Sequence, residues 1–234
     1  MELGSLAPSA MIFDFDGVIL ESAEIKTQAF IELFRDVPEQ LDAIVAYHKA
    51  HVGMSRYKKF AWVYERLLKR PVSQGMLQEL GARFSQLVFD KILRAPFVPG
   101  AIETLSACRE TGVPAFVISG TPHDELTRII QARGLERYIS EAWGSPTEKP
   151  AAIREIRARY GFLPNEMLFV GDGLFDYQAA AAEGVPFVAR ESGDAEVDWR
   201  ALGVLSLPDL RPLAAVVCNR PEASLRGALP ALRT

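Results

Sequence analysis

Cysteine and long apolar runs are what the sequence most clearly lacks. Only two cysteines, Cys108 and Cys218, occur in 234 residues, which excludes a disulfide scaffold or a zinc ribbon. No apolar run approaches the roughly 18 residues that a membrane span needs, and the first ten residues lack the basic and apolar regions of a secretory signal. We therefore expect a soluble, cytoplasmic protein with no membrane partner, and a buried, inert thiol at Cys108.

A strong charge of either sign is also missing. The formal net charge is −4, which gives no reason to expect a nucleic-acid partner. Local positive charge can still bind a small anion. Hydrophobic residues make up 49% of the chain, so intrinsic disorder is excluded. The length allows one or two domains with a full core, and we expect a monomer or a homodimer.

Apolar periodicity divides the chain into three parts. An apolar run at 11–13 predicts a buried strand. Apolar residues then recur at three- and four-residue spacing from about 22 to 93, which predicts several amphipathic helices with breaks near 37–38, 53 and 70–71. After a linker at 95–100 the pattern alternates. Strands are predicted at 115–118, 142–143, 167–170, 186–189 and 204–207, and helices at 100–110, 123–133, 149–160 and 174–183.

This alternation predicts an α/β protein with a Rossmann-like, doubly wound parallel sheet. The helical block is then an all-helical domain inserted after the first strand. We place the core at 1–20 and 96–234 and the helical domain at 21–95. The tail from Asn219 has weak periodicity and is expected to fray.

Two pairs of aspartates follow predicted strands. Asp14 and Asp16 leave the first strand together with Gly17, and Asp172 leaves the strand at 167–170 with Asp176 four residues later. The carboxyl ends of parallel strands meet at one edge of a sheet, so these carboxylates can converge. An oxygen-only cluster of this kind favours Mg²⁺ and can supply a nucleophile. Solvated turns are the alternative interpretation of each pair taken alone.

Polar residues also follow two further predicted strands. Ser119, Gly120 and Thr121 come directly after 115–118 and precede a predicted helix, where hydroxyl and backbone N–H groups suit a phosphate. Lys149 begins a later helix and could neutralise a phosphoryl group. Taken alone, each of these residues is better explained as an ordinary N-cap or a solvated helix start.

The order and spacing of these four motifs resemble the haloacid dehalogenase superfamily of phosphohydrolases. The matching elements are DxD after the first strand, Ser/Thr after the second, Lys before a later helix and GDxxxD after the fourth strand, over about residues 11–210. The helical insertion resembles the cap of the subgroup that contains phosphoglycolate phosphatase, β-phosphoglucomutase and phosphonoacetaldehyde hydrolase.

The resemblance implies a role for each matched residue. Asp14 would be the nucleophile that forms an aspartyl-phosphate, and Asp16 the general acid and then the general base. Ser119, with Gly120 and Thr121, would bind the phosphoryl oxygens, and Lys149 would offset their charge. Mg²⁺ would be bound by the Asp14 carboxylate, the backbone carbonyl of Asp16, Asp172 and, directly or through water, Asp176.

The cap is expected to select the substrate. Gly53-Met54-Ser55-Arg56 resembles the GxSR stretch of phosphoglucomutase-like caps, which makes Arg56 the first candidate to contact an anionic part of the substrate, ahead of Lys58 and Lys59. A solvated basic face is the alternative interpretation.

The chain also departs from those relatives. Lys26 stands where they often have His, and the later acid of their KPxPD motif is absent after Lys149-Pro150. Because Glu21 and Glu24 are near Lys26 in sequence, we expect Lys26 to be an ion-paired hinge or surface residue.

Together, these features predict Mg²⁺-dependent hydrolysis of a small phosphomonoester of the phosphoglycolate, sugar-phosphate or nucleotide type. A phosphomutase, or a carbon–phosphorus hydrolase that uses Lys26 as a Schiff base, is the alternative enzyme. A non-catalytic regulatory relative would be expected to have lost one of Asp14, Asp16, Lys149 and Asp172.

Overall fold

The computed structural model describes residues 2–193 and 197–218. Within these ranges, six strands form one parallel sheet in the order β3-β2-β1-β4-β5-β6. The strands are β1 Ala10–Phe13, β2 Ala115–Pro122, β3 Glu141–Ser145, β4 Met167–Gly171, β5 Phe187–Arg190 and β6 Leu205–Leu207. The predicted α/β class and doubly wound sheet are confirmed.

Nine α-helices are present in the described part of the chain. They are α1 Ala23–Leu33, α2 Leu41–Ala50, α3 Arg56–Trp62, α4 Gln74–Ile92, α5 Ala101–Glu110, α6 His123–Ala132, α7 Lys149–Tyr160, α8 Leu174–Ala182 and α9 Arg211–Cys218. The three predicted breaks in the helical block fall between α1 and α4. We call residues 23–92 the helical insertion. The division of the chain into domains at 20/21 and 95/96 stays a prediction.

Both faces of the sheet are covered, because side chains alternate along each strand. On β1, Met11 and Phe13 pack in one buried cluster with α5, α6 and α9, whereas Ala10 and Ile12 pack in a second cluster with α7 and α8. Cys108 lies in α5 and is buried, and burial raises the pKa of its thiol to about 12. The predicted inert thiol agrees with this position.

The helical insertion has an aromatic centre that is continuous with the first of these clusters. The ring centroid of Phe30 on α1 lies 5.4 Å from that of Phe60 on α3 and 5.2 Å from that of Phe84 on α4. All three side chains are almost completely buried. Aromatic burial of this extent supplies much of the free energy that holds three helices together.

Two features differ from the sequence predictions. Strand β2 continues through Ser119, Gly120 and Thr121 to Pro122, with a shift of register after Ile118, before α6 begins at His123 as predicted. The Ser119 motif therefore lies at the end of a strand and not at a helix N-terminus. Helix α9 was not predicted, and the tail from Asn219 lies outside the described residues. None of the helices in the described ranges is long and apolar enough to cross a membrane.

Gly100 joins the linker to α5 at a point where α9 packs against α5. Its φ is +85°, and a Cβ there would overlap the backbone of Leu210 and Arg211. Gly112, at the other end of α5, has a φ of +70° with no neighbouring atom within 4 Å of its Cβ position. These two glycines share a backbone conformation and differ in the space around them.

We predict that Gly112→Ala lowers the free energy of unfolding by about 1–2 kcal/mol, the cost of left-handed backbone for an L-residue. Gly100→Ala should lower it by about 2–5 kcal/mol, because overlap with α9 adds about 1–3 kcal/mol. Chemical denaturation of the two variants and the wild type measures both values. Equal losses would show that α9 does not pack closely on Gly100.

Candidate active site

The candidate site lies where β1, β2 and β4 end. Asp14 directly follows β1, and its backbone N–H donates to the Val170 carbonyl at 2.9 Å, which fixes the first motif against β4. Asp172 follows β4, and Lys149 is the first residue of α7. These three side chains are all buried, with at most 7% of each residue exposed.

Three carboxylates converge at this edge of the sheet. Asp14, Asp172 and Asp176 each place one oxygen so that the three atoms lie within 4.8 Å of one another. Asp176 is oriented by the start of α8, since its Oδ2 accepts a hydrogen bond of 3.0 Å from the Gly173 backbone N–H. The predicted convergence of Asp14, Asp172 and Asp176 is therefore present.

Asp172 is the carboxylate with the least protein support. Both of its oxygens are buried and have no hydrogen-bond partner among the described residues. Burial, followed by repulsion from Asp14 and Asp176, raises the pKa of Asp172 well above its ordinary value, and the Ser192 hydroxyl, which is near but makes no hydrogen bond of normal geometry, opposes this rise. A buried carboxylate without a donor is costly, so this position fits a bound cation.

Gly17 makes room for Asp172. Its φ is +78°, and a Cβ on Gly17 would fall on the Asp172 carboxylate. The glycine that ends the first motif thus supplies both the predicted turn and the space that the fourth motif needs.

Lys149 is the cation of this cluster. Its Nζ lies 3.0 Å from Asp14 Oδ1, forms an ion pair with Asp176, and donates to the Ile118 carbonyl at 3.2 Å. Burial raises the pKa of Asp14 to about 7, with Lys149 opposing the rise and the neighbouring carboxylates adding to it. One ammonium therefore only partly offsets the charge of three carboxylates.

Asp16 has different surroundings from Asp14, although one residue separates them. Its carboxylate accepts hydrogen bonds from Ser22 Oγ at 2.6 Å, from Thr121 Oγ1 at 3.0 Å and from Lys26 Nζ. Burial alone would raise its pKa, but the Lys26 ammonium and these hydrogen bonds outweigh burial and lower it. Asp16 is thus held ionised beside Asp14 and Asp172, whose pKa values are raised by burial.

Lys26 and Thr121 both contact Asp16. Lys26 is ion-paired as expected, but with Asp16, and its Nζ also donates to Thr121 Oγ1 at 2.7 Å. Glu21 instead forms a bidentate pair with Arg190 on β5. The Thr121 hydroxyl contacts Asp16 and Lys26, so it is not free for a phosphoryl oxygen.

Ser119 and Gly120 line the cavity above Asp14. Ser119 is 2% exposed, and its Oγ accepts a hydrogen bond of 3.1 Å from the Thr121 backbone N–H. A Cβ on Gly120 would lie 2.8 Å from the Gly53 carbonyl of the helical insertion. A Cβ on Gly173 would likewise overlap the backbone of Val52. These two core glycines let the loop of residues 51–54 sit directly on the strand ends.

Arg56 is buried in an ion pair with the core. Its guanidinium donates to Glu125 on α6 at 2.5 and 3.1 Å and to Ser85 Oγ at 2.9 Å, and it lies 4.6 Å from the ring centroid of Phe84. The candidate anion contact is therefore neutralised by a carboxylate from α6. Lys58, the second candidate, is exposed and pairs with Glu148.

Sequence reasoning did not select His48, Ser22 or Arg190, and it ranked Lys59 below Arg56. His48 and Lys59 line the cavity opposite Asp14 and are both buried. A buried contact between α2 and α3 has no local signature, because either residue is ordinary on an exposed helix face. Only the packing of the helical insertion brings them together.

A sequence profile of the haloacid dehalogenase-like hydrolases matches residues 8–184. The chain belongs to this family. Phosphoglycolate phosphatase 1 of Pseudomonas aeruginosa is 25% identical to this hydrolase over 202 residues, which cover 80% of this chain and 70% of that protein. Phosphoglycolate phosphatase of Escherichia coli K12 is 28% identical over 136 residues, and the matched region spans 54% of its length.

The fold of this hydrolase is shared with a protein from Bacteroides vulgatus that is described as a candidate β-phosphoglucomutase. The TM-score is 0.73 at 18% identity, over 95% of this chain and 92% of that one. All four motifs lie inside the region that the family profile matches. They are the DxD motif, Ser119, Lys149 and the GDxxxD motif.

The buried Arg56–Glu125 pair of this hydrolase can be tested by a double-mutant cycle. We predict that Arg56→Met lowers the free energy of unfolding by about 3–5 kcal/mol, because it leaves Glu125 buried without its partner. The double variant Arg56→Met/Glu125→Met should lose less than Arg56→Met alone, because no buried charge remains. Denaturant titration measures all three losses. Additive losses would show that the two side chains do not interact.

Proposed function

We propose that this hydrolase is a Mg²⁺-dependent phosphatase that cleaves a small phosphomonoester through an aspartyl-phosphate on Asp14. The observation that carries the proposal is the pairing of two unlike carboxylates at one strand end. Asp14 lies in a cluster of acids beside Lys149, whereas Asp16 is surrounded by donors. Covalent transfer with proton exchange needs such a pair. The phosphoglycolate phosphatases among the relatives agree with this chemistry.

In the first step, an oxygen of Asp14 attacks phosphorus and the bond from phosphorus to the leaving oxygen breaks. For this step Asp16 must first take up a proton from solvent, which the Lys26 ammonium opposes, and it then gives that proton to the leaving oxygen, so the alcohol leaves neutral. In the second step, Asp16, now ionised, takes a proton from water while the water oxygen attacks phosphorus. Phosphate leaves, and Asp14 is regenerated as a carboxylate. Lys26 supports the second step, because its ammonium favours the ionised, basic form of Asp16.

The acidic cluster fits Mg²⁺. Asp172 has two buried oxygens without a protein donor, and its neighbours offer oxygen ligands only, which is the donor set of this ion. Asp14, Asp172 and the backbone carbonyl of Asp16 would hold the ion, with Asp176 as a direct or water-mediated partner. When bound, Mg²⁺ offsets the negative charge of the phosphoryl group.

We assign the phosphoryl oxygens to Ser119 and Lys149. Both line the space at the end of β2, with the Gly120 backbone between that space and the helical insertion. The Lys149 ammonium already lies between Asp14 and Asp176, so it orients the nucleophile as well as offsetting charge. Substrate contact by Thr121 is no longer part of the proposal, since its hydroxyl is engaged by Asp16.

The carbon–phosphorus alternative requires Lys26 as a neutral amine that attacks a carbonyl carbon. Lys26 Nζ is instead hydrogen-bonded to the Asp16 carboxylate and to Thr121. A nitrogen held by these two hydrogen bonds is not free to attack a carbonyl carbon. The geometry thus favours phosphate-ester hydrolysis over Schiff-base chemistry.

The first test is hydrolysis of para-nitrophenyl phosphate and a panel of phosphorylated metabolites. We predict release of phosphate with Mg²⁺, loss of activity in excess chelator, and a loss of at least about 1000-fold in kcat for Asp14→Asn. The near-isosteric amide should leave the fold intact, as judged by circular dichroism. Asp36→Asn, at an exposed carboxylate, is the control and should keep full activity. Activity of Asp14→Asn above a few per cent would exclude Asp14 as the nucleophile.

The second test concerns Lys26. Lys26→Met removes the ammonium that lowers the pKa of Asp16, whereas the effect of burial, which raises it, remains. The pKa of Asp16 should therefore rise, and less of the carboxyl group should be ionised near neutral pH. With hydrolysis of the aspartyl-phosphate, which needs ionised Asp16, as the slow step, we predict that kcat at pH 6 falls by more than about tenfold and recovers as the pH increases. The measurement is kcat between pH 5 and 9. A uniform loss at every pH would contradict a role for Lys26 in setting the protonation of Asp16.

A further inference from the structure

Four cationic side chains line the cavity or its floor, and three of them have carboxylate partners. Lys149 pairs with Asp14 and Asp176, Lys26 with Asp16, and Arg56 with Glu125. Lys59 on α3 is the exception. Within residues 2–193 and 197–218, no carboxylate oxygen lies within 4.0 Å of its ammonium.

Lys59 is nevertheless buried, with 4% of the residue exposed. Its Nζ donates to the backbone carbonyl of His48 at 3.1 Å and lies 3.1 Å from His48 Nδ1. The Phe30 ring centroid is 5.7 Å away. An ammonium has three N–H donors, and the described residues engage two of them. The end of α2 supplies a partial negative charge through its carbonyl groups, which does not amount to a counter-ion.

His48 acts here as a neutral acceptor. Burial, followed by the Lys59 charge, lowers the pKa of its imidazole to about 2. Burial, followed by the charge of Lys26, lowers the pKa of Lys59 to about 7. Asp172, Asp14 and Asp16 act in the opposite direction on the pKa of Lys59, but among the described residues none of them forms an ion pair with it. The ammonium therefore has no adjacent counter-ion, although two contacts with His48 fix its position.

The Lys59 side chain shares one cavity with the reacting groups. Asp14, Asp16 and Ser119 lie on the core side of this cavity, and Lys59 and His48 line it from the helical insertion. Phe30 and Phe84 form apolar walls between them. An ion pair in such surroundings is stronger than in water. A molecule held by its phosphoryl group at Asp14 would thus present its leaving group towards Lys59.

We propose that Lys59, fixed by His48, is a second anion-binding position of this cavity, and that it binds an acidic group on the leaving alcohol of the substrate. The proposal rests on the proposed phosphatase function. It assigns the substrate class as short phosphomonoesters whose alcohol carries a carboxylate or a second phosphate. Arg56 does not take this role, because Glu125 already neutralises it.

The experiment compares three substrates that share a two-carbon skeleton. They are 2-phosphoglycolate, ethylene glycol bisphosphate and 2-hydroxyethyl phosphate, which carry a carboxylate, a phosphate and a neutral hydroxyl. We expect the wild type to prefer at least one acidic substrate over the neutral one by about 100-fold in kcat/KM, as for a buried charge pair. The preferred acid identifies the group that Lys59 binds. Equal values for all three would overturn the proposal.

Lys59→Met removes the charge and keeps the length of the side chain. It should lower kcat/KM for the preferred acidic substrate by about 100-fold and for 2-hydroxyethyl phosphate by less than about threefold. Lys91→Met, at an exposed lysine of α4, is the matched control and should leave both values unchanged. If Lys59 had only a structural role, Lys59→Met would lower kcat/KM equally for all three substrates. That result would overturn the proposal.

The failures of the two proposals are distinguishable. If the wild type with Mg²⁺ fails to hydrolyse even para-nitrophenyl phosphate, the phosphatase function is wrong and the assignment of Lys59 falls with it. If it hydrolyses para-nitrophenyl phosphate but shows no preference for an acidic alcohol, only the assignment of Lys59 is wrong. The wild-type comparison decides the question even where Lys59→Met does not fold.

Discussion

Repulsion among three buried carboxylates is the constraint on which the centre of this structure depends. Asp14, Asp172 and Asp176 bring their oxygens within 4.8 Å of one another in a site that excludes most water. Lys149 supplies one positive charge against three carboxylates, which leaves an excess of negative charge that a bound cation would offset. The packed strands β1 and β4 nevertheless hold these carboxylates close together, because moving them apart would disrupt the buried sheet. The folded core thus stabilises an arrangement that the isolated side chains would avoid.

The helical insertion contributes a second set of charges, and pairing determines what each can do. Arg56 is committed to α6, where it links the insertion to the core, and Lys26 is committed to Asp16. Lys59 is held only by neutral groups of His48. Arg56 therefore links the insertion to the core, and Lys26 neighbours the proposed acid–base group. Lys59 is left as a cation without an ion-pair partner among the described residues. Their difference comes from where carboxylates lie in the folded chain.

The sequence was sufficient for the sheet and for the residues at its carboxyl edge. Apolar runs such as 167–170 have one physical explanation, and parallel strands place the residues that follow them side by side. Ion-pair partners were not predictable in this way. Glu125 is 69 residues from Arg56, and Thr121 is 95 residues from Lys26. Glu21, one of the two carboxylates near Lys26 in sequence, pairs with Arg190, 169 residues away. Charge contacts follow packing, which local sequence does not record.

Helix α9 was missed for a different reason. Leu213, Val216 and Val217 show helical spacing, and Pro212 suits a first turn, but the segment is short and follows a predicted strand. Its buried face against α5 stabilises it, rather than any strong local preference.

The loop of residues 51–54 packs through its backbone against the backbone of Gly120 and Gly173. Because the contacts run through the Gly53 carbonyl and the backbone of Val52, they do not depend on which side chains the loop carries. Val52 and Met54 line the cavity with those side chains. Substitutions in this loop can therefore change the shape of the space above Ser119 while the strand ends and their carboxylates keep their positions. The side chains of this loop, which shape the cavity, can therefore change without displacing the carboxylates that the proposed reaction uses.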